Sequence, residues 1–326
     1  MRILLTGATG FIGARLLAHL AAEVDDIRVF RRPGSPLGSV KNIKFEDFIG
    51  DITNEDDVLR AVEGCDVVFH AAAEVAYWDK LNDHQFKVNV MGTKNIVDAS
   101  LTHKVKRLIC TSSVVAIGFN EKGLADETTE YNLEPYKINY CDTKHMAELE
   151  VQRGVAEGLD AVIVNPAAVF GPGDRRRFHG HLYGGKVWSH IFYVGGGIAT
   201  VDIDDVVEGH VRAWKHGRKG ERYILANENR TFKEQSALIG ALMNRPKPKI
   251  KIPSFIIYLL AYIASAVSFV TGKRPFVTIQ MAKFTEHELF YSNEKAKREL
   301  GMQFKPLSQS IENAIEWMRE HGHLKS

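Results

Sequence analysis

Cysteine is scarce in this chain: its 326 residues include three, Cys65, Cys110 and Cys141, each in apolar surroundings. Three are too few for a disulfide framework and lack metal-site spacing, which implies a reducing compartment. Net charge is also nearly absent. Lys and Arg number 42 against 40 Asp and Glu, a formal charge of +2, so electrostatics give no reason to expect a nucleic-acid partner. The first apolar run begins at Arg2 and leaves no room for a signal peptide, so a cytoplasmic location is expected. No internal repeat, low-complexity tract or Ser/Pro-rich linker appears. Thirteen histidines, among them His179 and His181, offer no third ligand at a convincing spacing, and no metal site is expected. Long uncharged runs are missing with one exception, residues 252–272. That run has the length that spanning a bilayer needs, about 20 residues. Its Pro253, Ser, Ala and Tyr residues make a weak span, and a buried helix is the favoured reading. Attachment to a lipid surface is the alternative, because Lys247, Lys249, Lys251, Lys273 and Arg274 flank the run.

What is present suffices for a large core: 45% of residues are hydrophobic and 25% charged. The most informative stretch is MRILLTGATGFIG at residues 1–13. Arg2-Ile3-Leu4-Leu5 reads as a buried strand, and Phe11-Ile12 with Leu16, Leu17 and Leu20 has the spacing of a helix packed on a sheet. Gly7, Gly10 and Gly13 therefore lie on the strand-to-helix turn. Glycine lets the backbone approach a pyrophosphate, whose charge the amides and dipole of a helix N-terminus attract. The spacing departs from G-x-G-x-x-G. Position after an N-terminal strand still points to nucleotide binding.

Apolar runs recur at 27–30, 44–48, 67–69, 107–110 and 161–164, with helical segments near 56–63, 82–100 and 136–157. Such alternation indicates an α/β fold, a Rossmann-type doubly wound parallel sheet. After Pro166 the pattern loses regularity through a Gly- and Arg-rich stretch at 171–197, followed by a strand-like 221–226. The expected division is a nucleotide-binding domain over 1–165, joined again by 198–230. A smaller, discontinuous substrate lobe would comprise 166–197 and 231–326.

Tyr140-Cys141-Asp142-Thr143-Lys144 sets a phenol and an ammonium at i and i+4 on one helix face. A cation near a tyrosine lowers the phenol pKa toward working pH, as general acid–base catalysis requires. The 107–110 strand ends in Thr111-Ser112-Ser113, which places hydroxyls at a carboxyl edge of the sheet, where open α/β folds bind ligands. Cys141 adjoins Tyr140 by chance rather than for redox control.

With these motifs the chain resembles the extended short-chain dehydrogenase/reductases over nearly its whole length. The likeness rests on Thr6–Gly13, Asp51-Ile52, His70-Ala71-Ala72-Ala73, Asn89-Val90 with Gly92-Thr93, Thr111-Ser112-Ser113, Tyr140 with Lys144, and Asn165-Pro166 leading to Phe170-Gly171-Pro172-Gly173-Asp174. Asp202-Ile203-Asp204-Asp205-Val206 and Ser292-Asn293-Glu294-Lys295-Ala296 extend it. The resemblance implies that Tyr140 exchanges a proton with the reacting oxygen while nicotinamide exchanges hydride. Lys144 would depress the Tyr140 pKa and hold the nicotinamide ribose; Ser113 would hydrogen-bond the oxygen, and Ser112 would be structural. Gly7, Thr9, Gly10, Phe11 and Ile12 would form the phosphate turn, Asp51 and Ile52 would border the adenine, and Ala71, Ala72 and Ala73 would line the cofactor's middle. Thr111, Pro166 and Val169 would approach its nicotinamide half, with Asn89 on the cofactor side.

At the end of the second strand, Val29-Phe30-Arg31-Arg32 lacks the acid that would bind the ribose hydroxyls of NAD. Arg31 and Arg32 suit a 2′-phosphate, which favours NADP(H) over NAD(H). Residues 165–174 look more like the branch of dihydroflavonol reductases and 3β-hydroxysteroid dehydrogenases than like nucleotide-sugar enzymes. Sugar dehydratases carry Thr-Asp-Glu where this chain has Ser113-Val114-Val115. The favoured reading is an NADP(H)-dependent oxidoreductase acting on a ketone, aldehyde or secondary alcohol of an apolar or aromatic small molecule, as homodimer or monomer. Val75, Tyr77, Trp78, Val114, Arg175, Tyr183 and Trp188 are the candidate substrate contacts. The alternatives are a nucleotide-sugar 4-epimerase with tightly bound NAD, a membrane-associated sterol or lipid 3-hydroxy dehydrogenase, and a non-catalytic NADP-sensing scaffold.

Overall fold

A computed structural model of the chain describes residues 1–174 and 191–324; Arg175, Tyr183, Trp188, His179 and His181 lie outside the described residues. Seven strands form the main sheet: β1 (Ile3–Thr6), β2 (Ile27–Arg31), β3 (Glu46–Ile49), β4 (Val67–His70), β5 (Arg107–Thr111), β6 (Ala161–Pro166) and β10 (Arg222–Leu225). Their order is β10-β6-β5-β4-β1-β2-β3, and every neighbouring pair is parallel. Both faces are covered by helices, which is why β1, β4 and β6 are continuous apolar runs rather than alternating ones. One face carries α1 (Phe11–Glu23) and α6 (Ile203–His216); the other carries α2 (Glu55–Val62), α4 (Gly92–Thr102) and α5 (Asn139–Ala156). Chain progression reverses between β1 and β4, and the crevice beyond their carboxyl ends is where such sheets hold ligands.

Two expected helices have different bounds. The 82–100 segment comprises α3 (Asn82–Phe86), a π-turn at Lys87–Met91, and α4. The 136–157 segment starts at Asn139, because Glu134–Tyr136 is a short 3-10 turn and Lys137 adopts φ 49°, a left-handed conformation that cannot continue a helix. Beside the main sheet, β7 (Ala168–Phe170), β9 (Gly197–Asp202), β11 (Glu228–Thr231) and β13 (Glu288–Leu289) build a smaller sheet, while β8 (Phe192–Tyr193) pairs with β12 (Ile250–Lys251). The small sheet packs under α7 (Phe232–Leu242) and α10 (Leu307–Glu320) around Phe170, Ile239, Ile311 and Ile315.

The expectation of a buried helix at 252–272 is overturned. Helix α8 (Ser254–Thr271) buries only Ile257, Ala261, Ala264 and Ser268. Its large residues point outward, Phe255 being 70% exposed, Val270 85% and Phe269 92%. A short α9 (Ile279–Lys283) covers the small-residue stripe, so the apolar run has a small interface with the body and a large one with its surroundings.

Candidate active site

The β1–α1 turn is built for close approach. Gly7 has φ +74°, and a Cβ there would lie 2.6 Å from the Ala71 carbonyl and the Ala72 nitrogen. A Cβ on Gly13 would lie 2.1 Å from the Gly7 carbonyl oxygen. The Gly10 amide donates to that oxygen at 2.9 Å, and no side chain caps α1 at Gly10. The first amides of α1 are thus left for an external acceptor, with Thr9, Phe11 and Ile12 half-exposed around them. Glycines that cannot bear a Cβ and an uncapped helix N-terminus fit a dinucleotide pyrophosphate.

At the end of β2 the two arginines differ. Arg31 forms a two-pronged ion pair with Asp47 at 2.7 and 2.6 Å, so it is occupied inside the protein. Arg32 is exposed. The Asp51 carboxylate accepts from the Thr53 amide and hydroxyl at 2.9 and 2.8 Å, and the buried Ile52 offers its carbonyl to Asn95 at 3.0 Å.

The end of β4 is fixed by a buried hydrogen-bond chain that sequence reasoning missed. The Thr93 hydroxyl donates to the Asn89 carbonyl at 2.6 Å, so at 3.0 Å it accepts from His70 Nε2. His70 Nδ1 then accepts from the Thr6 hydroxyl at 2.8 Å, whose oxygen in turn accepts from the Ala72 amide at 3.1 Å. This chain ties β1, β4 and the Ala71–Ala73 backbone to α4. Burial pushes the His70 pKa down to about 3, aided by the Lys144 charge, so the imidazole stays neutral. The buried Asn89 pins the loop after β4. Its oxygen accepts from the Glu74 amide at 2.8 Å, and its nitrogen donates to the Glu74 carbonyl and Thr143 hydroxyl at 3.0 and 3.2 Å.

Lys144 and Ser113 come to the carboxyl edge of β5. The buried Lys144 ammonium donates to the Thr111 carbonyl at 2.8 Å. Burial lowers its pKa, which Cys110 and the Glu148 carboxylate partly offset. The Thr111 hydroxyl donates to His210 Nε2 at 2.8 Å, because His210 Nδ1 must donate to the Val206 carbonyl at 2.7 Å. Ser113 begins a 3-10 turn without spending its hydroxyl on a cap. Its carbonyl accepts from Asn165 at 3.0 Å, and Asn165 also donates to Glu148, which Arg222 neutralises at 3.2 Å. Ser112, read as structural, has a buried hydroxyl with no hydrogen-bond partner among the described residues.

The Tyr140 ring meets Tyr77 edge-on at 5.6 Å, and Tyr77 meets Phe284 at 5.5 Å. An aromatic wall therefore stands beside the phenol. Phe284, from a late segment, could not be paired with Tyr140 from sequence. Trp78 has Lys80 over its ring, Val75 is exposed and Val114 is buried in the core. Pro166 and Val169 are buried along β6 and β7. Burial raises the Cys141 pKa, which suits an inert thiol. Among the described residues no His, Cys, Asp and Glu cluster could hold a metal.

The NAD dependent epimerase/dehydratase family matches residues 3–226. A Synechocystis sp. protein provisionally named dihydroflavonol 4-reductase is 31% identical over 332 residues, covering 98% of this chain and 95% of that one. The 3beta-hydroxysteroid-dehydrogenase/decarboxylase isoform 1 of Arabidopsis thaliana is 31% identical, covering 98% of this chain and 80% of its own. The crystal structure of gox2253 superposes with a TM-score of 0.85 at 31% identity, covering 99% of both chains. With a family match over most of its length and relatives at this identity, the chain belongs to the NAD-dependent epimerase/dehydratase family, the extended short-chain dehydrogenase/reductases, and is an NAD(P)-dependent oxidoreductase.

Proposed function

We propose that this oxidoreductase uses NADP(H) to interconvert a carbonyl and a secondary alcohol on an apolar or aromatic small molecule. The observation that carries the reading is the Tyr140 phenol standing one helical turn from the buried Lys144 ammonium and against the Tyr77–Phe284 aromatic wall. Bound nicotinamide supplies or accepts the hydride. Tyr140 delivers the proton to the carbonyl oxygen in reduction and removes it in oxidation. Lys144, about 6 Å along α5, favours the phenolate by its charge. Ser113 donates to the reacting oxygen, as charge developing there requires. Flat apolar rings suit the wall, since aromatic edges and faces pack without desolvating polar groups. The steroid dehydrogenase and dihydroflavonol reductase names of relatives agree with such a substrate.

The NADP(H) preference rests on Arg32, exposed just past β2 where the chain itself has arginine instead of an acid, with Arg31 held by Asp47 of the neighbouring β3. The test is NADPH consumption against a panel of flat ketones, 3-ketosteroids and flavanones included, run beside nucleotide sugars. Turnover with the ketones supports the reading. Turnover confined to nucleotide sugars overturns it.

A further inference from the structure

We infer that α8 docks this enzyme in the plane of an anionic lipid bilayer. A water-facing amphipathic helix puts large apolar residues inward and polar ones outward; α8 does the reverse. At 100° per residue, buried Ile257, Ala261, Ala264 and Ser268 form one stripe, while exposed Phe255, Leu259, Tyr262, Ile263, Phe269 and Val270 lie on the opposite side. The outward face holds no charge and runs about 27 Å. An uncharged face of this extent marks an interaction surface.

Charge identifies the partner. Between Asn244 and Glu286 there is no carboxylate, whereas Lys247, Lys249, Lys251, Lys273 and Arg274 are exposed at the two ends of α8. A chain of formal charge +2 thus concentrates cations beside its apolar face. Anionic headgroups flanking acyl chains match that pattern. A second copy matches it poorly. Pairing this face with itself, parallel or antiparallel, sets one cationic end against another.

The helix lies on the bilayer rather than crossing it, because both flanks return to the same body. Before it, β12 pairs with β8, and the Ile252 amide donates to the Tyr193 carbonyl at 2.8 Å. After it, α9 packs on α8 through Ala282 and continues to the site: Gln280 accepts from the Asn139 amide at 3.2 Å, Lys283 donates to the Tyr136 carbonyl, and Phe284 touches Tyr77. The docking face is therefore coupled through one short helix to the wall beside Tyr140.

The test is co-sedimentation of the full chain with phosphatidylcholine vesicles, with and without phosphatidylglycerol, for the parent, the F269S/V270S double variant and the K273E/R274E double variant. NADPH titration of each variant confirms folding, since none of these residues is in the nucleotide or proton-transfer machinery. The parent is expected to bind vesicles containing phosphatidylglycerol and to bind neutral ones far less. Each double variant is expected to weaken that binding by at least about tenfold, with nucleotide affinity unchanged. Folded parent protein that stays in the supernatant with anionic vesicles would overturn docking. So would variants that bind vesicles like the parent, or a parent that only self-associates and becomes monomeric on F269S/V270S. The readout is vesicle binding alone, so it stands apart from the outcome of the ketone assay.

Discussion

Tyr140→Phe removes one oxygen from a ring that keeps its edge contact with Tyr77. Turnover is expected to fall by about 10²–10⁴-fold, the range for a positioned acid–base group, with NADPH affinity within about threefold of the parent. Steady-state rates and fluorescence titration check both halves, and near-normal turnover would remove Tyr140 from the mechanism. Two buried histidines offer a second residue-scale test. Burial pushes His210 down to about 4 and His70 to about 3, below the ordinary value near 6.5. Their folded-state pKa values are depressed, so the stability they contribute is present above about pH 6.5 and is lost as pH falls toward the folded values, because the unfolded chain takes up protons that the native state refuses. His210→Gln removes one such group. Its loss of unfolding free energy between pH 7 and pH 5 should be about 2 kcal/mol smaller than the parent's, by urea denaturation; equal losses would contradict the assignment. At this scale the sequence singled out Tyr140 and Lys144 by their types and spacing, and Ser113 through the family resemblance. His70, His210 and Phe284 were not legible, because their roles depend on which distant strand or helix they reach.

The β1–α1 turn is the element most sensitive to a single methyl group. Gly13→Ala would set a Cβ 2.1 Å from the Gly7 carbonyl oxygen, with backbone rather than a yielding side chain as its neighbour. A loss of about 3 kcal/mol in unfolding free energy and at least about tenfold in NADPH affinity is expected, measured by denaturation and titration. Unchanged stability and affinity would mean that the turn relaxes freely. This element was readable because strand, glycines and helix are contiguous. The 82–100 and 136–157 helices were readable in kind but not in bounds: periodicity does not register the π-turn around Asn89 or the left-handed Lys137. The two arginines of β2 looked equivalent in sequence. Only strand pairing, which sets β3 beside β2, brings Asp47 to Arg31.

For the molecule as a whole, the parallel sheet with helices on both faces follows from local apolar runs alternating with helices, which the sequence displays; the order β10-β6-β5-β4-β1-β2-β3 depends on which strands pair and was not legible there. The smaller sheet was not visible, since strands as short as Glu288–Leu289 acquire meaning only by pairing with Gly197–Asp202. Helix α8 was misread for a related reason. A run apolar on all sides does not reveal which side meets the body, and the answer lies in α9, which covers only the small residues. The central claim, an NADP(H) oxidoreductase with an exchangeable cofactor, is tested most directly by fluorescence titration of the purified chain with NADPH and NADH, after assay for bound nucleotide, beside Arg32→Ala. The account predicts nucleotide-free protein that prefers NADPH, with Arg32→Ala losing about tenfold in NADPH affinity and little in NADH affinity. Protein that arrives loaded with NAD(H), or that binds NADH as tightly as NADPH, would contradict it.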